Sequence, residues 1–222
     1  MGKIVAIVLN YTEPGWTPDT MRCLRDSGIS STITVDRAGT GSMSKAFNGA
    51  RKAVTQHASK GAEYAWFITN VTFSAEVPIS LLSRFSDDVA AVHPAMRNSD
   101  HSFLREPREA KEIPFTEWTA PMVSIDALEK VGWLDDRMPY VHFDIEWSYR
   151  AKKAGFRLLV DGCCEVSHKY LHSNHDHPIS LQRHRMRAEG LEASARAMAA
   201  AMGFPYRGFS AAEQTARNLL AP

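Results

Sequence analysis

Between Met138 and His168 the chain reads MPYVHFDIEWSYRAKKAGFRLLVDGCCEVSH. Two acids, Asp144 and Glu146, stand two residues apart where an apolar loop enters a helical pattern. The pattern predicts a helix over 145–154 that stops at Gly155, a strand over 157–160, and then His168. A carboxylate at a helix N-terminus sits in the positive field of the helix dipole. That suits a base that takes a proton beside a bound anion or metal. Capping of the helix would also place an acid at position 144, so the two assignments compete.

Such acids need a scaffold to aim them. The run KIVAIVL at 3–9 is continuously apolar and β-branched, as a strand buried on both faces requires. Further strands are predicted at 32–35, 64–69, 89–92 and 122–125. Helices are predicted at 18–27, 45–58, 78–84 and 126–131, the last capped by Asp126 and stopped by Gly132. Strand–helix alternation of this kind favours an α/β domain with a mostly parallel sheet. Residues 98–114 are polar, charged and proline-containing, and read as a mobile excursion. The Ala-, Arg- and Met-rich stretch 180–202 reads as helix, and 204–222 either packs on the body or frays. Ligands in open α/β sheets bind outside the carboxyl ends of the strands. Asn10, Asp36 and Asn70 fall at three such ends and are expected to converge on one crevice.

Length and composition narrow the classes further. The 222 residues allow one large domain, or one domain with a tail. A 44% apolar and 23% charged composition is that of a globular protein, and a formal charge of +1 gives no general attraction to nucleic acid or anionic membrane. No stretch of 18 apolar residues occurs, and the apolar start is too short for a leader, so a cytoplasmic protein is expected. Three cysteines, two of them vicinal, are expected to be reduced.

Acid–x–acid, a helix closing on Arg-Ala-x-x-x-Gly, a strand and a histidine, in that order, resemble the C-terminal half of a family 2 glycosyltransferase of the GT-A fold. The N-terminal half is similar too, in VAIVLNYTEP, TITVDRAGTGSMSKAFNGARKAV and AEYAWFITNVTF. The resemblance implies a nucleotide-diphospho-sugar transferase-like α/β domain over 1–175, with a mostly parallel sheet flanked by helices. A helical C-terminal extension over 176–222 would pack on that domain or trail from it. The implied activity is inverting transfer of a hexose-type sugar to a hydroxyl acceptor from a nucleotide-diphosphate donor, a UDP-sugar first of all. Leu9, Asn10 and Tyr11 would belong to the loop that cups the nucleotide, and Asp36 would hold the uracil or ribose. Asn48, in the "x-A-x-N-x-G" match, would join the donor site. Asp144 maps to the general base, and Glu146 would position it or bind the acceptor. Trp118, Asp135 and Asp136 map to the acceptor side.

One departure stands out. The family ends its third strand with Asp-x-Asp, which holds a divalent cation, whereas this chain has Asn70-Val71-Thr72. The i, i+2 spacing is kept and the charge is lost. The implied Mn2+ or Mg2+ would then rest on Asn70, Thr72 and His168, neutral donors that a hard cation binds more weakly than carboxylates. A second function class follows, an inactive nucleotide-sugar- or glycan-binding or assembly module. A third keeps the chemistry and moves the acceptor to protein or modified DNA, although the near-neutral charge lends DNA little support. Plainer roles also stay open. Asp36 could close a turn, Trp118 and Trp133 could fill the core, and Asp135-Asp136 could be a surface turn. His172, His175 and His177 could be solvated, and Arg183, His184, Arg185 and Arg187 could line a solvated helix face or clamp a diphosphate. Asn48-Gly49 weakens a helix, so close approach of a ligand or strand is expected there.

Overall fold

The computed structural model describes residues 3–10, 17–36, 42–139, 141–168 and 178–221, with backbone only at 17 and 178–189. The chain runs β1 (Ile4–Asn10), α1 (Thr17–Asp26), β2 (Thr32–Asp36), α2 (Met43–Gly49), α3 (Arg51–Ala58), β3 (Tyr64–Ile68) and β4 (Val71–Phe73). It continues with α4 (Val77–Leu82), β5 (Val89–Ala95), α5 (Ser102–Arg105), β6 (Ala110–Glu112), β7 (Met122–Ser124) and α6 (Ile125–Val131). The last elements are α7 (Phe143–Lys153), β8 (Arg157–His168), α8 (Pro178–Met202) and α9 (Phe209–Leu220).

The strands form one mixed sheet in the order β2-β1-β3-β7-β5-β8-β4, with β6 also paired to β8. Five strands, β1, β2, β3, β5 and β8, point one way, and the short β4, β6 and β7 run against them. The continuous apolar run of β1 is buried from Ile4 to Leu9, as its central position between β2 and β3 demands. An aromatic spine crosses the core. Phe67 of β3 meets Phe47 of α2 at 5.3 Å and Trp118 at 5.1 Å, and Trp118 meets Trp147 of α7 at 4.9 Å. The spine joins the sheet to the two helices that flank the strand ends.

Several elements differ from the sequence expectation. The helix expected over 45–58 is two helices, α2 and α3, which meet at Ala50 (φ −74°, ψ −14°). Helix α6 starts one residue early, capped by Ser124, whose hydroxyl accepts from the Ala127 N–H at 3.4 Å. Asp126 lies in the first turn and pairs with Lys130 at 2.8 Å. The excursion over 98–114 contains α5 and the edge strand β6. Strand β8 does not stop at 160 but runs on to His168, with its register to β5 shifted between Pro94 and Ala95. In the polar Asp161-Gly162 that hides this continuation, Asp161 is fully buried. The Asp161 carboxylate accepts the Ser80 hydroxyl at 2.6 Å and pairs with Arg84 at 3.3 Å, which ties α4 to β8. The C-terminal helices pack on the body, with Met198 and Met202 of α8 and Ala212, Ala216 and Leu220 of α9 buried in the common core. No helix among the described residues is long and apolar enough to cross a membrane.

Gly162 is where the extended β8 meets the 107–109 segment. A methyl group there would lie 2.6 Å from the Glu109 nitrogen and 2.7 Å from the Pro107 carbonyl carbon. Gly162→Ala is therefore expected to destabilise the fold by about 1–3 kcal/mol in urea denaturation, because backbone must move to admit the carbon. Wild-type stability in that variant would contradict this packing.

Candidate active site

The parallel strands deliver polar residues to one edge. Asn10 and Asp36 are ladder partners at the ends of β1 and β2. Asn70 follows β3, two strand spacings from Asp36, on the order of 10 Å. It adopts a left-handed conformation, φ 50°, that lets the chain turn from β3 into β4. Asparagine tolerates that conformation better than most residues, so its identity has a backbone reason beside any chemical one. The Thr20 hydroxyl donates to the Val71 carbonyl at 2.7 Å and fixes α1 against the turn. Tyr11, Thr12, His172, Ser173, His175 and His177 lie outside the described residues, as do the side chains of Arg183, His184, Arg185 and Arg187.

Asp144 lies in the first turn of α7, not at its cap. The cap position is His142, at φ 69° and with no capping side-chain bond. The Asp144 carboxylate accepts the N–H of Ile145 at 2.9 Å. Burial raises its pKa, opposed by the Ile145 N–H and by the nearby His142 and Arg217. Raised proton affinity is useful in a base, provided the group still ionises. Glu146 is differently placed. It is buried and paired with Arg150 through bonds of 2.5 and 2.8 Å. Arg150 also donates to the carbonyls of Val131 and Trp133, so Glu146 anchors the loop after α6.

Residues 113–121 have neither helix nor strand, yet they connect the β3 end to α7. The Thr69 N–H donates to the Thr119 carbonyl at 2.8 Å, and the Thr116 N–H donates to the Ser148 hydroxyl at 3.1 Å. Between these anchors lies Glu117, a carboxyl that the sequence reading does not select. Its only signal is a single acid among Phe, Thr, Trp and Ala in FTEWTAP. Burial pushes its pKa up to about 7, opposed by the Thr119 hydroxyl and reinforced by Asp144.

The remaining candidates divide between surface, clamp and core. Asp36 is exposed and Asn10 half-buried. Leu9 and Trp118 are core side chains. Asp135 is held by Arg137 at 2.6 Å, which lowers its pKa. The Asn48 amide donates to the Leu134 carbonyl (2.8 Å) and Asp136 (2.7 Å) and accepts the Leu134 N–H (3.1 Å). That clamp supplies a reason for Asn48. Gly49 shows no close approach, since a methyl there would meet nothing within 4 Å. Cys163 is exposed and Cys164 half-buried, and burial pushes the Cys164 thiol up to about 12.

Comparison with known proteins adds the fold. No protein-family model and no curated protein sequence matches the chain. Solved structures do. The first, GalNAc-T7 with UDP, GalNAc and Mn2+, aligns over 98% of this chain with a TM-score of 0.58 at 11% identity. TarS of S. aureus (residues 1–349) aligns over 99% with a TM-score of 0.59 at 11% identity. The mannosyltransferase PcManGT from Pyrobaculum calidifontis, in complex with GDP-Man and Mn2+, aligns over 98% with a TM-score of 0.55 at 12% identity. The chain has the GT-A fold. It spans 54% of GalNAc-T7, 69% of the TarS chain and 68% of PcManGT.

Two of these GT-A structures hold Mn2+, which raises the question whether this strand end fits a cation. In the β4–β8 ladder Val71 lies opposite His168, and Thr72 opposite Ser167. Opposed residues share a face and adjacent ones alternate, so Thr72 and His168 face opposite sides of the ribbon. The three candidates do not make one shell. Among the described residues no group of three His, Cys, Asp or Glu is placed to hold a metal. Asn70 and His168 on their own lack the carboxylate that a hard dication favours.

Two outcomes are expected. Asn48→Ala should cost about 1–3 kcal/mol in chemical denaturation by breaking the clamp. Asn70→Asp should add an Mn2+-dependent rise in thermal midpoint that the wild type lacks. An equal Mn2+ effect in both proteins would contradict the donor-set argument.

Proposed function

We propose that this chain is a nucleotide-sugar-dependent glycosyltransferase with Asp144 as general base. The observation that carries this reading is a half-buried carboxylate in the first turn of α7, a helix tied through residues 113–121 to the end of β3, within a GT-A fold. Asn10 and Asp36, with the loop after β1, would hold the nucleoside, and Asn70 would lie at the diphosphate. An acceptor hydroxyl oxygen attacks the anomeric carbon as the bond to the diphosphate breaks. The diphosphate leaves with the bonding electrons, and the hydroxyl proton passes to Asp144. Configuration inverts in this single displacement. Alignment of acceptor, anomeric carbon and base supplies much of the rate, because little else needs to be fixed once they are bound. No step is assigned to a cation, given the neutral donors at the strand end.

A UDP-sugar is the first donor to test, with GDP-mannose second. The acceptor panel consists of a glycan, a protein and hydroxymethylated DNA. A second reading, a binding module without turnover, draws on the uncharged Asn70-Val71-Thr72.

Asp144→Asn separates the two. It is expected to lower donor hydrolysis or transfer by about 100-fold or more while leaving nucleotide binding intact. The sign for stability is also fixed. A carboxyl whose folded pKa is raised makes the fold less stable as pH rises above its unfolded value. The asparagine variant should therefore match or exceed wild-type stability at pH 8, read by urea denaturation. Nucleotide binding without wild-type turnover on any donor would support the binding module instead.

A further inference from the structure

We propose that Glu213 is a positioning residue for the same reaction: from the C-terminal helix it holds His142, and through His142 the first turn of α7 that carries Asp144. The inference rests on the reading of Asp144 as the base, and begins from how α7 starts. The helix has no side-chain cap, and its cap residue, His142, sits at φ 69°. That left-handed conformation is open to histidine but uncommon for it, so surrounding contacts must fix it. The His142 carbonyl accepts the Glu146 N–H at 2.8 Å, the first bond of the helix. Asp144 lies inside the turn that this bond closes. The direction of its carboxylate therefore follows the conformation of residue 142.

The His142 side chain is buried, and its contacts come from α9. Nε2 donates to the Glu213 carboxylate at 3.1 Å, and the Phe209 ring lies 5.2 Å from the imidazole. Phe209 and Glu213 are four residues apart on α9 and so share one face. The same face continues to Arg217, which lies over the Phe115 ring at 5.4 Å. Phe115 adjoins Thr116, whose N–H is bonded to Ser148 of α7. Ala212, Ala216 and Leu220 are buried in the core and seat the helix behind these contacts. Nδ1 of His142 is buried without a hydrogen-bond partner, so among the described residues the Glu213 bond is the one polar tie the ring has. Without that tie a buried imidazole has no hydrogen bond, which is costly, and the ring must turn to find one. A turning ring releases residue 142 from its left-handed conformation and carries the start of α7 with it. A base displaced by about an ångström loses much of its alignment with an incoming hydroxyl.

The test reads geometry before turnover. Amide hydrogen exchange is compared for wild type, Glu213→Ala, Glu213→Gln and His142→Gly, with Gln214→Ala, at an exposed neighbour on α9, as the control. The Glu146 N–H reports the first bond of α7, and the Ile145 N–H, bonded to the Asp144 carboxylate at 2.9 Å, reports the base itself. In Glu213→Ala both are expected to exchange about 10-fold faster or more, while the buried β1 amides hold near their wild-type rates. Glu213→Gln keeps an oxygen that accepts from Nε2 and should restore most of the protection. His142→Gly takes a positive φ without strain but cuts the tie, and should loosen the same two amides. Gln214→Ala should leave all of them unchanged. Loss of protection in Glu213→Ala spread evenly over α7 and β1 marks a merely structural role and overturns the proposal. Wild-type protection of Ile145 and Glu146 in His142→Gly overturns it too. If Glu213→Ala does not fold, the glutamine and glycine variants still decide. Where transfer is measurable, Glu213→Ala should lower kcat about 10- to 100-fold with donor KM unchanged, and Glu213→Gln should recover most of the loss. Failure of transfer on every donor, with the local loosening present, would count against the proposed function and leave the tie intact.

Discussion

The stretch from Phe115 to Pro121 ties the end of β3 to the start of α7. It contributes no regular element, yet the carbonyls of Thr119, Ala120 and Pro121 accept from Thr69, the Trp66 ring and Phe67. Its other side is bonded to Ser148 and packed on Phe143 and Trp147. An irregular segment inside a core must find partners for its backbone, and here those partners lie on β3 and α7. The strand end and the helix start are therefore spaced by one rigid spacer rather than by loop closure. Displacing it would separate Asn70 from Asp144 even with sheet and helix intact.

Much of the fold can be read from residues. The apolar run 3–9, the aromatic run 64–68 and the glycines at 28, 132 and 155 report local preferences that tertiary packing keeps. What cannot be read rests on distant partners. Asp161-Gly162 looks like a strand end, because nothing nearby announces Ser80, Arg84 and the Glu109 backbone. Residues 98–114 look unstructured because the edge strand within them is stabilised by β8. Of the candidate site residues, Asp36, Asn70 and Asp144 are visible as polar residues at element ends. Asn48 and Glu146 are equally visible, but their oxygens serve Leu134 and Arg150. Glu117 is missed because its raised proton affinity comes from burial, which no neighbour in the chain announces.

The C-terminal helices belong to the same argument. Helix α9 brings Glu213 to His142 and Arg217 over Phe115, so it reaches both the turn before Asp144 and the spacer segment. Lys152 near the end of α7 donates to the Leu220 carbonyl at 3.4 Å. The chain end thus braces α7 at two points. Two raised carboxyls oppose folding at neutral pH, a cost that the packing of the surrounding core offsets.

The uncharged turn at Asn70 also has a kinetic side. A pair of bare carboxylates repels an incoming diphosphate until a cation has bound, and so imposes an order of arrival. An amide offers no such barrier. Under the proposed function a diphosphate would approach this strand end directly, and the nucleotide product would depart without waiting for an ion to let go.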